Sequence, residues 1–189
     1  MFFVSRKKLF LRIAFVVIAL LILGVWSPWD SLRYHGDGQF SDRGFFGYPR
    51  YLVTFSDIQL NRVSEHHFRF RGLPNEEMTL MLFVKDRQVD TWADSAPLAN
   101  LQVTIEALLT DDKGHVACHA YGRPAPSNED GIWVLTWGGA TAYWHHQCNF
   151  VQVHPNRIYD LVIRVTDVGP GIEKVVVTPR LKGGGLELP

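Results

Sequence analysis

The sequence predicts an all-β domain, an antiparallel β-sandwich of about nine short strands, carried behind a single amino-terminal transmembrane helix. Three features of the 189 residues predict it. Beyond Pro49, apolar and polar residues alternate with a period of two, which marks strands with one buried face. Clusters of Gly, Pro, Asp and Asn cut these runs short, and no helical pattern intervenes of the kind a parallel sheet requires. Ahead of Pro49 stands one long apolar stretch, residues 9–26, LFLRIAFVVIALLILGVW.

As a helix rising about 1.5 Å per residue, that stretch is ~27 Å long, close to the ~30 Å hydrocarbon core of a bilayer. Arg12 lies within one turn of its start, where a long aliphatic stem lets the guanidinium reach the headgroups. Arg6, Lys7, Lys8 and Arg12 precede or open the apolar run, so residues 1–8 are expected in the cytoplasm and the carboxyl-terminal domain outside it. Trp26 and Trp29 fall where an outer-interface aromatic belt would sit. The competing reading is a cleaved signal peptide, because residues 13–23 also fit an h-region. Against it, Gly24, Val25 and Trp26 offer no Ala-x-Ala cleavage pattern. No N-x-[ST] sequon occurs, which fits a bacterial envelope and makes inner membrane and periplasm the expected location.

Residues 27–48 read as a linker, since Pro28, Gly36, Gly38, Gly44 and Gly47 disfavour both helix and regular strand. Phe45, Phe46 and Tyr48 are apolar enough to pack its end against the domain. The sandwich is expected over residues 49–182. Tyr51, Val53 and Phe55 alternate, and so do Phe68 and Phe70 against outward-pointing Arg69 and Arg71. Residues 78–84 are almost wholly apolar, as in a central strand covered on both sides. Leu101, Val103, Ile105, Ala107 and Leu109 form the cleanest run. A turn at residues 111–114 then leads into Val116, Cys118 and Ala120, a hairpin. A second hairpin joins residues 132–137 to 143–151 across Gly138 and Gly139. Tyr159, Leu161, Ile163 and Val165 alternate in turn, and residues 175–177 add a short closing strand. Residues 183–189, with three glycines, are expected to be a tail.

The phrase at residues 155–161, PNRIYDL, resembles the tyrosine near a strand start in immunoglobulin-like corners, where the hydroxyl ties down the preceding loop. The Cys-Trp-Cys pattern of true immunoglobulin domains is not present. The sandwich is therefore expected to be of immunoglobulin-like or jelly-roll type without assignment to a family.

Cys118 and Cys148 are the two cysteines, and outside the cytoplasm they are expected to form a structural disulfide. Two separate buried thiols are the alternative. His66, His67, His115, His119, His145 and His146 are tempting, but neighbouring histidines on a strand face opposite ways. His115 and His119 would stand about 13 Å apart, at ~3.3 Å per residue, too far for one metal ion. No metal and no cofactor is expected. Trp137, Tyr143 and Trp144 could form a stacking platform for a sugar or a protein partner, although Trp133 and Trp137 share a parity with Leu135 and fit a core. Paired carboxylates occur only in turns, at Glu76-Glu77, Asp111-Asp112 and Glu129-Asp130, and the nucleophile-elbow, zinc-helix, phosphate-loop and calcium-loop motifs are missing. Removing the first four charges from the 19 basic residues leaves 15 against 19 acidic, opposite in sign to a nucleic-acid binder.

These features point to a single-pass, membrane-anchored interaction module without catalytic activity that presents loops to a protein partner. Arg69, Arg71, Trp137, Tyr143 and Trp144 are its candidate contacts. A carbohydrate or cell-envelope binding domain is the alternative. A hydrolase would require a pocket joining His145 or His146 to an acidic residue.

Overall fold

The period-two alternation is realised as two antiparallel sheets packed around one apolar core. The computed structural model describes residues 12, 14–16, 33–43, 50–84, 102–123, 133–135, 141–144, 148, 150–170 and 175–184. Its strands are β1 (His35–Gly36), β2 (Gln39–Asp42), β3 (Tyr51–Thr54), β4 (Ile58–Gln59), β5 (Ser64–Arg71), β6 (Glu77–Val84) and β7 (Val103–Asp111). They continue as β8 (Val116–Gly122), β9 (Trp133–Leu135), β10 (Thr141–Trp144), β11 (Val151–Gln152), β12 (Ile158–Val168) and β13 (Val176–Gly183). The smaller sheet runs β1-β5-β12-β7-β8. The larger runs β2-β3-β13-β6-β10-β9, with β4 also on β13 and β11 also on β6.

The cleanest sequence alternations become the middle of the molecule. On β12, Tyr159, Leu161, Ile163 and Val165 are buried while Asp160, Val162 and Arg164 stay partly exposed. On β7 the same holds for Ile105, Ala107 and Leu109. Strand β6 is covered on both sides, as its unbroken apolar run predicts. Met78, Leu80 and Leu82 face the core, and Thr79 and Met81 on the other face are 5% and 8% exposed. Cys118 of β8 and Cys148, just ahead of β11, form a disulfide that ties the edge of the smaller sheet to the larger one. The resemblance at residues 155–161 holds in geometry: the Tyr159 hydroxyl accepts the His154 amide at 2.9 Å, closing the turn before β12.

Several expectations are corrected. Residues 35–42, read as linker, form β1 and β2 and pair with β5 and β3. Their glycines permit close approach where the pattern implied a break. A Cβ on Gly36, at φ +124°, would lie 2.2 Å from the Arg69 carbonyl oxygen. Tyr34 then stacks on Phe40 and Phe70, and Phe40 on Tyr51, which seals this segment to the core. The strand expected at 143–151 is two pieces, β10 and β11, both lying on β6. Val116 is exposed, not core, because the β7–β8 register shifts between it and Cys118 and turns its side chain outward.

The closing strand β13 runs far beyond residue 177, straight through Pro179. The Pro179 carbonyl accepts the Phe55 amide, so the edge that lacks an N–H faces the interruption between β3 and β4, where no ladder donor is needed. Of the expected anchor, only Arg12 and residues 14–16 are described, and these are helical. Among the described residues no helix is long and apolar enough to cross a membrane.

Candidate functional site

The two outer faces of the sandwich differ. The larger sheet is covered over β6 and β13, where Thr79, Met81 and Thr178 are buried. The smaller sheet turns a charged, solvated face outward, and its register builds an ordered array there. Arg164 of β12 stands opposite Glu65 of β5 and Glu106 of β7. Its Nε donates to Glu65 and its Nη1 to Glu106 at 3.1 Å. Beyond each carboxylate lies a histidine, with His67 Nε2 2.7 Å from Glu65 and His119 Nε2 2.8 Å from Glu106. The result is a His–Glu–Arg–Glu–His ladder across four strands.

The electrostatics follow from these contacts. Hydrogen bonds from Arg164 and then His67 hold the Glu65 carboxyl below the usual carboxylate range. For Glu106 the contact with His119 leads and that with Arg164 follows, with the same direction. The two carboxylates in turn raise the affinity of Arg164 for its proton. Each ladder group is partnered by its neighbours.

Toward one end of this face the pattern changes. Arg69 still pairs with Asp160 at 3.8 Å, and its amide donates to the Asp37 carboxylate. One pleat further on, Arg71 stands in register with His35 on one side and Ile158 on the other. Here a cleft of about 750 Å³ opens, lined by Arg33, His35, Arg71, Asp112, Asn156 and Ile158. Gly72 lines it as well. At φ +82°, a Cβ there would lie 1.9 Å from the Arg33 carbonyl oxygen, so only glycine lets the Arg33 backbone lie against the end of β5.

The adjoining turn is a tightly satisfied structure. Asp111 accepts the Lys113 and His115 amides at 2.9 Å each, and Arg157 lies 3.1 Å from the same carboxylate. Burial of the Asp111 carboxyl works against its ionisation, but the His115 amide and ring and the Lys113 amide outweigh it and bring it to about 2. Arg157 also reaches Asp112 at 3.5 Å.

The sequence-predicted contacts divide. Arg69 and Arg71 lie on the exposed face of β5, as expected, but only Arg71 lines the cleft. Tyr143 and Trp144 belong to β10 in the other sheet, in register with Met81 and Trp133, so they do not join the arginines in one site. Trp137 lies outside the described residues, as do His145 and His146. His66 and His67 make separate contacts, with Ser64 and Glu65, and His115 and His119 turn to Asp111 and Glu106. Among the described residues no three His, Cys, Asp or Glu side chains are grouped to hold a metal. Sequence reasoning missed Arg33 and His35 because it placed them in the linker. No protein-family model matches the chain, and no curated protein matches it.

Proposed function

We propose that this protein is a membrane-anchored, extracytoplasmic binding module and not an enzyme. Residues 9–26 hold it in the bilayer, and the outer face of the smaller sheet docks a protein partner. The observation that carries the docking surface is the asymmetry of the two faces. The larger sheet has its outer side buried over its central strands, whereas the smaller one leaves a charged face of four strands in water. Such a face, with its side chains already fixed by mutual hydrogen bonds, loses little side-chain entropy on association and supplies charge complementarity. The location is supported by Cys118 and Cys148, which lie within disulfide distance of each other as suits compartments outside the reducing cytosol, and by the four leading cations. Phe15 and Val16 add to this, since both are apolar and largely exposed within the helical residues described.

The reading is tested by placing a photo-crosslinking residue at Val162, in the middle of the charged face, or at Gln39, on the opposite sheet's edge strand β2, in full-length protein expressed in cells. A discrete crosslinked partner at Val162, competed away by unlabelled protein and missing at Gln39, is expected in the membrane fraction. Equal labelling at both positions, or recovery of the protein in reduced form from the cytosol, overturns it.

A further inference from the structure

The cleft beside Arg71 carries charges of a different kind from the rest of the face. Arg50, Arg69, Arg123, Arg157 and Arg164 each pair with a carboxylate. Arg33 and Arg71, like Arg43 and Arg62, have no ion pair with any described residue, but the β1–β5 pairing and the Gly72 contact bring these two together in the lining of one cleft. Asp112, which also lines the cleft, shares the Arg157 guanidinium with Asp111. Among the described residues the cleft therefore sets two guanidinium groups against the single Asp112 carboxylate, a net positive lining to which the ring of His35 and the amide of Asn156 add donors. Guanidinium forks bind phosphate as they bind carboxylate, and two of them with further donors nearby can engage several oxygens of one oxyanion. The cleft, about 750 Å³ and open to solvent, has room for more than one such ion.

Its position along the chain narrows the source of the anion. Arg33 follows Trp26, the end of the apolar stretch, by seven residues. At roughly 3.3–3.6 Å per extended residue, the cleft wall lies within about 25 Å of where that stretch ends. We propose that the cleft formed by Arg33, His35, Arg71 and Asn156 binds a phosphate group, with the phosphodiester of an anionic lipid headgroup as the ligand that the short tether brings within reach. This rests on the anchor reading for the choice of lipid, but not for the phosphate chemistry.

The test uses the full chain in a neutral detergent. It is titrated with dihexanoyl phosphatidylglycerol in one arm and inorganic phosphate in the other, with binding read by NMR shifts and by thermal stabilisation. Saturable binding that weakens with salt is expected, tighter for the lipid. The variant R33Q/R71Q should lose at least about 10-fold in affinity, while R62Q/R123Q, which removes the same charge elsewhere, binds as the parent does. Equal affinity for inorganic phosphate supports the phosphate site and moves its source from lipid to free ion. Unchanged binding in R33Q/R71Q, or equal loss in R62Q/R123Q, overturns the site. Circular dichroism and an intact disulfide verify that each variant is folded. Alkaline extraction of membranes reads the anchor separately: R33Q/R71Q should stay in the pellet with the parent, and release of both sinks the anchor without touching the binding result.

Discussion

Removing the Cys118–Cys148 bond is the perturbation whose cost is most directly worked from the structure. Both cysteines are buried, at 5% and 1% exposure, and they are 30 residues apart in sequence. Closing a loop of that length in the unfolded chain costs conformational entropy equivalent to about 3 to 4 kcal/mol. Opening it releases that entropy to the denatured state. The Cys118→Ala/Cys148→Ala variant should therefore lose about 3 to 4 kcal/mol, plus a smaller contribution from the space the two sulfurs vacate. For a domain of this size that corresponds to a fall in Tm of roughly 6 to 16 °C. Equilibrium unfolding in urea is the assay, with oxidised parent, reduced parent and the double variant measured side by side. The slope with denaturant should rise in the two open forms, because their unfolded chains expose more surface. A loss below about 1 kcal/mol with an unchanged slope would refute the reasoning, since it would mean that the bond constrains neither state.

Three further outcomes are expected. Tyr159→Phe removes the acceptor for the His154 amide and should cost about 1 kcal/mol by chemical denaturation, with faster amide exchange at residues 154–158. Asp111, Glu65 and Glu106 all ionise more readily when folded than an ordinary carboxyl does. In the acidic range the native state therefore binds fewer protons than the unfolded state, and stability rises with pH there. The contribution is complete above the ordinary carboxylate range and is lost as pH falls toward about 2 for Asp111, so Asp111→Asn should flatten Tm between pH 4 and pH 2. Gly72→Ala places a methyl against the Arg33 carbonyl at positive φ and should cost more than about 1 kcal/mol. Hydrogen exchange should show β1 and β2 losing protection while β7 and β12 keep theirs.

The central strands were legible because burial on one face leaves an alternation that survives in the chain itself, as in β5, β7 and β12. Tyr159 was legible for a local reason, since its partner is only five residues away. Features made by register were not. Glu65 and Arg164 are 99 residues apart, and only the β5–β12 pairing makes them neighbours. Val116 keeps the parity of a core residue, but one irregular step opposite β7 reverses it. The cleft was half visible. Arg71 stood out on its strand, whereas Arg33 and His35 sat among glycines that look like chain breaks and serve instead to press one backbone onto another. The full reach of β13 was not legible either, because the sequence does not reveal that the N–H-less edge of Pro179 meets a gap in the neighbouring strand.

The order of strands has a consequence for how the molecule comes into being. The two last strands, β12 and β13, each occupy an interior place, β12 between β5 and β7 and β13 between β3 and β6. Until they emerge from the ribosome, β5 and β7 have no mutual neighbour and the larger sheet lacks its bridge from β3 to β6. The preceding five sixths or so of the polypeptide can therefore hold hairpins but no closed core, and they must wait for the stretch that begins at Ile158. Such late keystones make folding slow and non-local, and they make truncation near the carboxyl end far more damaging than the small number of residues removed would indicate.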